Sequence, residues 1–140
     1  MDIKYMQRAI ELAKLGEGFT NPNPLVGAVI VKDGRIIGEG WHECYGGLHA
    51  ERNALKNATE PVVGADMYVT LEPCPMCAGA ISNAHLERVV FGASDFKAGA
   101  LGTVFNLNDY PVFKPEVVGG VLGEECATML TDFFKTKRKK

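Results

Sequence analysis

The stretch 66-DMYVTLEPCPMCAGAISNAHLERVVFGA-93 decides how this chain is built. "DMYVTLE" reads as a strand, "CPMCAGAISNAH" as a helix and "ERVVFGA" as a second strand. A helix between two strands carries the chain back across a sheet, so this alternation favours an α/β layer with some parallel pairing. Upstream, "VGAVIV" is a continuous apolar run of strand length, and "KDG" turns into "RIIGEGWH". Asp33-Gly34 is the expected tight turn of an antiparallel hairpin. "HAERNALKN" reads as a helix and "PEVVGGV" as a last strand. At the start, Met6, Ala9, Ile10 and Ala13 recur at helical spacing, which predicts a helix over roughly 2–15, ended by Gly16 and Gly18. "TNPNP" follows and cannot be helix, because each proline fixes φ and pushes the residue before it towards extended backbone. Asn21 and Asn23 are therefore held in a stiff loop with their amides available. The closing "EECATMLTDFFKTKRKK" sets Cys126, Met129, Leu130, Phe133 and Phe134 on one helical face, a core-packing pattern.

A chain of 140 residues with 46% apolar composition can bury one core without disulfides, so one domain over 1–140 is expected. No run approaches the ~18 apolar residues of a membrane span, and the start is amphipathic with acids in it. A soluble, unexported, cytoplasmic chain is the expectation. The formal charge of −2 argues against indiscriminate nucleic-acid binding, yet "KTKRKK" at the end carries five cations. That tail could meet phosphate, or it could be a solvated helix end whose cations suit the negative terminus. Of four cysteines, Cys74 and Cys77 have metal-type spacing, and reduced thiols are expected. Cys126 reads as core; Cys44 receives no role.

Cys74 and Cys77, three apart at a helix start, project their sulfurs to nearly the same side. Pro75 sits where a first-turn proline loses no hydrogen bond. The first turn's unpaired amides and positive dipole end favour ionised thiolates. Two thiolates leave a tetrahedral zinc short of two ligands, and no second short-spaced pair supplies them. His49, from the mouth of another helix, is the nearest third ligand, which leaves the fourth corner for water. That is the layout of one catalytic zinc per chain, whose water would be acidified to a pKa of about 7. Glu51 lies in the same helix mouth and suits a proton shuttle from that water to a leaving group. Taken singly, the signals are modest: thiol redox proteins and structural zinc knuckles share a CxxC, and a helix-start histidine is often only hydrogen-bonded. Taken together, "HAE" and "PCPMC" match the HxE and PCxxC signature of zinc deaminases.

At these residues the chain resembles the cytidine deaminase superfamily over nearly all its length. The resemblance implies a three-layer α/β/α fold with a central mixed sheet of about five strands. "TNPNPLVGAVIVKDGRIIGEGWHECYGGLHAERNAL" and "MYVTLEPC" are similar to the deaminase domain of the riboflavin pathway, which acts on a phosphoribosylated aminopyrimidinone. That likeness puts Asn21, Asn23 and His42 around the substrate, with Ala50 and Pro73 also at the wall. "EPCPMCAGAI", "RVVFGASDFKAGA" and "CATMLTDFFKTKRKK" are similar instead to bacterial tRNA wobble-adenosine deaminases. There, the positions matching Asp95, Phe96 and Lys97 and the final helix approach RNA, and relatives of this type are homodimers. Neither template fits throughout. Riboflavin-type enzymes have a longer insert where this chain has only Pro75-Met76, and 140 residues leave no room for their reductase domain. The tRNA enzymes lack the "NPNP" segment.

The reaction implied is the same for both: hydrolytic removal of an exocyclic amine from a nucleobase-like ring, with ammonia released. The riboflavin-type segments lie at the substrate wall, so a phosphoribosyl aminopyrimidine or nucleotide is the leading substrate. A wobble adenosine in tRNA, or another nucleic-acid base, is the alternative, engaged through the C-terminal helix. A reading from another class is a nucleic-acid-binding module with zinc as a staple.

Overall fold

The computed structural model describes the backbone of residues 3–138 and the side chains of residues 3–135. Helix α1 (Ile3–Lys14) leads into strands β1 (Gly27–Lys32) and β2 (Arg35–Trp41). Helix α2 (Ala50–Lys56), strand β3 (Asp66–Leu71), helix α3 (Pro75–Asn83) and strand β4 (Arg88–Ala93) follow. A one-turn 3-10 helix at Leu107–Asp109, strand β5 (Glu116–Val118) and helix α4 (Gly123–Arg138) complete the chain. Asp33 and Gly34 both adopt positive φ, 52° and 74°, and close the β1–β2 hairpin as its sequence requires.

The five strands form one mixed sheet in the order β2-β1-β3-β4-β5. β1 pairs antiparallel with β2 and β3, whereas β3–β4 and β4–β5 are parallel. Both faces are covered, which explains why β1 and β4 are apolar without alternation. Ala28 and Ile30 of β1 and Val89 and Phe91 of β4 pack with Ala50 and Ala54 of α2 and Ala78 and Ile81 of α3. Val29, Val31 and Val90 point the other way, onto Tyr5, Met6, Ala9 and Leu12 of α1 and Cys126 of α4. The result is the expected three-layer arrangement.

α2 lies unusually close to β2 because Gly40 has no side chain: a Cβ there would stand 2.6 Å from the Ala50 carbonyl oxygen. This close approach fixes where the mouth of α2 sits above the sheet edge. The last helix departs from its sequence pattern. Cys126 is fully buried, but Met129, Leu130 and Phe133 are only half-buried and Phe134 is 39% exposed. The stripe is fully buried only in its first turn, where Cys126 fits against Gly92, while Leu130 further along packs half-buried against the same core. In the basic tail, Lys135 is exposed; the side chains of 136–140 lie outside the described residues. Among the described residues no helix is long and apolar enough to cross a membrane.

Candidate active site

β1 begins, and β2, β3 and β4 end, along one edge of the sheet. The segments leaving that edge converge on a pocket of about 190 Å³. It is lined by Asn23, Pro24 and Val26 ahead of β1, His42 after β2, and His49, Ala50 and Glu51 at α2. Leu71 at the end of β3, Glu72 and Cys74 after it, and Asp95 and Ala98 after β4, complete it. A larger cleft of about 920 Å³ runs between α1 and α4 and contains none of the three candidate ligands.

His49 is the N-cap of α2 and Cys74 the N-cap of α3, with Pro75 in the first turn. Cys77 follows one turn further, buried, and α3 has no acid in its first turn to oppose a thiolate. His49 Nδ1 stands 3.7 Å from Cys74 Sγ and 3.4 Å from Cys77 Sγ. With metal bonds of about 2.3 Å to sulfur and about 2.0 Å to nitrogen, tetrahedral zinc spaces its sulfur and nitrogen ligands about 3.5 Å apart. The cradle therefore fits that ion without rearrangement. All three ligand atoms lie within 4.8 Å of one another, and among the described residues the group has three members. A structural staple fills all four corners with protein; this group leaves one for water.

Electrostatics in the cradle reflect crowding. The hydrogen bond from Cys77 pulls the Cys74 thiol down to about 4, with His49 adding to the effect against the cost of burial. The same contact, with burial, pushes Cys77 up, and the hydrogen bond to Cys74 raises His49. One sulfur is thus readily anionic, and a cation is what allows both to be. Glu51 is buried, and burial pushes its carboxyl up to about 7.

His42 is 4% exposed and bridges two segments. Its Nδ1 donates to the Leu48 carbonyl at 3.0 Å, which leaves Nε2 to accept from Asn23 Nδ2 at 3.1 Å. The Leu48 carbonyl also accepts from Asn53 Nδ2, at 3.3 Å, and Asn53 reaches the Trp41 carbonyl as well, at 2.9 Å. Asn53, unremarked in the sequence, ties the loop before His49 to the end of β2. An amide inside a helix was the available signal, since such residues usually bond backbone elsewhere.

The structure brings Asn23, His42, Ala50 and Asp95 to the pocket, but not Asn21, Pro73 or Lys97. Asn21 sits at the exposed tip of a turn closed by Asn23 N to Thr20 O, 2.7 Å, and by Thr20 Oγ1 to Asn23 O, 2.7 Å. It lines the α1–α4 cleft instead, because the turn that returns Asn23 to the pocket sends Asn21 away. Pro73 is buried, with its carbonyl accepting from Ala100 N at 2.9 Å. Lys97 is exposed, and its backbone N–H donates to Asp95 Oδ1 at 2.9 Å. All four cysteines are free thiols, Cys44 exposed and Cys126 buried.

Residues 1–93 match the cytidine and deoxycytidylate deaminase zinc-binding region. The chain belongs to this family. Zinc is the family's metal, and the cradle of this deaminase-family chain is arranged to hold it. Over 141 residues the chain is 54% identical to the diaminohydroxyphosphoribosylamino-pyrimidine deaminase of Buchnera aphidicola (subsp. Acyrthosiphon pisum), covering 96% of this chain and 94% of that one. Over 146 residues it is 47% identical to the riboflavin biosynthesis protein RibD of Actinobacillus pleuropneumoniae, covering 98% and 38%. Over 150 residues it is 44% identical to the tRNA-specific adenosine deaminase of Haemophilus influenzae, covering 99% and 86%. The crystal structure of a diaminohydroxyphosphoribosylaminopyrimidine deaminase/5-amino-6-(5-phosphoribosylamino)uracil reductase from Thermotoga maritima superposes with a TM-score of 0.82 at 41% identity, covering 97% of this chain and 41% of that one. The chain thus spans about two-fifths of the length of these RibD and deaminase/reductase relatives.

Proposed function

We propose that residues 1–140 form one deaminase domain that replaces the exocyclic amine of a phosphoribosylated aminopyrimidine with oxygen and releases ammonia. One observation carries this reading: the Asn23–His42 pair lines the same pocket as Glu51, His49 and Cys74. His49 Nδ1 and the sulfurs of Cys74 and Cys77 would hold the zinc. Bound there, zinc supplies water acidified to a pKa of about 7. The Glu51 carboxylate accepts a proton from the attacking water and delivers one to the departing amine, so water enters, ammonia leaves and no electrons are exchanged.

Because His42 Nε2 takes one Asn23 N–H, the Asn23 amide keeps one N–H and its Oδ1 for the ring, matching the carbonyl and N–H of a pyrimidinone edge. A cavity of about 150 Å³ accommodates one benzene-sized ring. The pocket of about 190 Å³ therefore suits a single substituted ring, with ribose and phosphate outside it. The 54% identity to the Buchnera pyrimidine deaminase supports the same substrate.

The test is ammonia release from diaminohydroxyphosphoribosylaminopyrimidine, with cytidine, guanine and a wobble-adenosine tRNA as parallel substrates. Glu51→Gln should keep one zinc per chain and lower turnover by about 100-fold or more. Retained turnover overturns the assigned role, and activity in metal-free protein overturns the mechanism.

A second reading, deamination of adenosine within tRNA, is favoured by the 95–97 loop. Phe96 is 85% exposed between pocket-lining Asp95 and exposed Lys97, an arrangement suited to stacking a base and meeting phosphate. Removing 135–140 should then weaken tRNA processing and leave a free substrate untouched. A homodimer forms part of the proposal: Leu48 and Met76, next to the ligand residues in sequence, are exposed apolar side chains suited to burial against a second copy. Light scattering that gives a monomer overturns it.

A further inference from the structure

Glu72 is 2% exposed, directly follows β3 two residues before Cys74, and has its carboxylate surrounded by hydrogen-bond donors of a single loop. Oε1 accepts from Asp95 N at 3.1 Å and from Thr103 Oγ1. Oε2 accepts from Leu101 N at 3.0 Å and Thr103 N at 3.2 Å. Gly99 passes so close that a Cβ there would stand 2.6 Å from Glu72 Cδ. The neighbouring Pro73 carbonyl takes Ala100 N at 2.9 Å, so the whole 95–103 loop is moored to the two residues that precede Cys74.

A carboxylate offers about four lone-pair positions, and here four donors use them. None remains for a substrate amine, although Glu72 borders the pocket. The loop it holds contributes Asp95 and Ala98 to the pocket wall.

We propose that Glu72 is a positioning residue: its carboxylate sets the 95–103 loop in register with Cys74, so that the wall against the substrate and the metal cradle are held by one side chain. The inference rests on the deaminase reading above for its kinetic arm. Glutamine cannot replace this group, because it presents one oxygen to four donors and turns its own N–H groups towards the rest.

Glu72→Gln and the milder Thr103→Val are compared with wild type for zinc content, KM and kcat of ammonia release from diaminohydroxyphosphoribosylaminopyrimidine, and amide exchange at Leu101 and Thr103. Glu72→Gln should keep one zinc per chain, raise KM about tenfold or more, leave kcat within about threefold, and speed exchange at both amides about tenfold. Thr103→Val should move KM and exchange in the same direction by less. Wild-type KM and exchange in both variants overturn the proposal, as does a fall in kcat with lost zinc at constant KM. If Glu72→Gln fails to fold, Thr103→Val decides. If wild type releases no ammonia, the substrate reading fails while the exchange comparison still decides whether Glu72 holds the loop.

Discussion

Replacing Gly40 by alanine should disturb a metal cradle it never touches. The added Cβ would lie 2.6 Å from the Ala50 carbonyl oxygen and closer still to the Ala54 backbone nitrogen, where ordinary contact begins near 3.4 Å, so the first turns of α2 must retreat by about 1 Å. His49 caps that helix, and its Nδ1 now stands 3.4 and 3.7 Å from the two sulfurs. Withdrawal by this amount carries it past the spacing of about 3.5 Å that a tetrahedral zinc tolerates. Overpacking of this kind costs about 1–3 kcal/mol, or on the order of 3–10 °C in melting temperature for a chain of this size. Zinc affinity, measured by competition with a chromophoric chelator, should fall about 10- to 100-fold. Turnover should fall more than affinity explains, because Glu51 moves with the helix and misplacement near 1 Å costs about 100-fold. Wild-type zinc affinity with an unshifted melting temperature would refute the reasoning that α2 rests on Gly40.

Gly79, inside α3, is the contrasting case: a Cβ there meets nothing within 4 Å, so Gly79→Ala should stabilise by about 0.5–1 kcal/mol in urea unfolding, and destabilisation would show the site is not open. Thr70→Val removes the buried hydroxyl that accepts Gly27 N–H at 3.2 Å. The stranded donor should cost about 1–3 kcal/mol, read as a lower urea midpoint at constant slope, and an unchanged midpoint would contradict it. Asn23→Ala deletes the partner of His42 Nε2 and should raise KM for the aminopyrimidine about two- to tenfold with zinc unchanged; a constant KM would remove Asn23 from the substrate wall.

The zinc cradle was legible because metal coordination demands fixed residue types at fixed places: thiolates three apart at one helix mouth and an imidazole at another. The strands were legible for a related reason, since a sheet covered on both faces leaves continuous apolar runs such as 26–31. The 95–103 loop was opaque. Much of its backbone is satisfied by Glu72 and Pro73, more than twenty residues away, and no local periodicity announces such a partner. Asn21 and Asn23 look equivalent in "TNPNP", yet a turn closed by Thr20 separates them, and only the three-dimensional path of the loop shows it. In α4, periodicity marked an apolar face correctly but could not report that only Cys126 of that face is fully buried, with Leu130 packing half-buried on the core.

Reactive groups in this molecule hang from the ends of rigid elements: His49 and Cys74 are caps, and Cys77 and Glu51 sit within first turns. The surfaces that would grip a substrate's remaining edges come instead from loops, 20–26 and 95–98 among them. On the function proposed above, hydrolysis and selectivity would thereby be carried on separable parts of the chain. Rewriting a loop can admit a different heterocycle while the inherited apparatus for breaking the carbon–nitrogen bond stays intact, and relatives named for such unlike molecules as a pyrimidine and a transfer RNA can share one architecture.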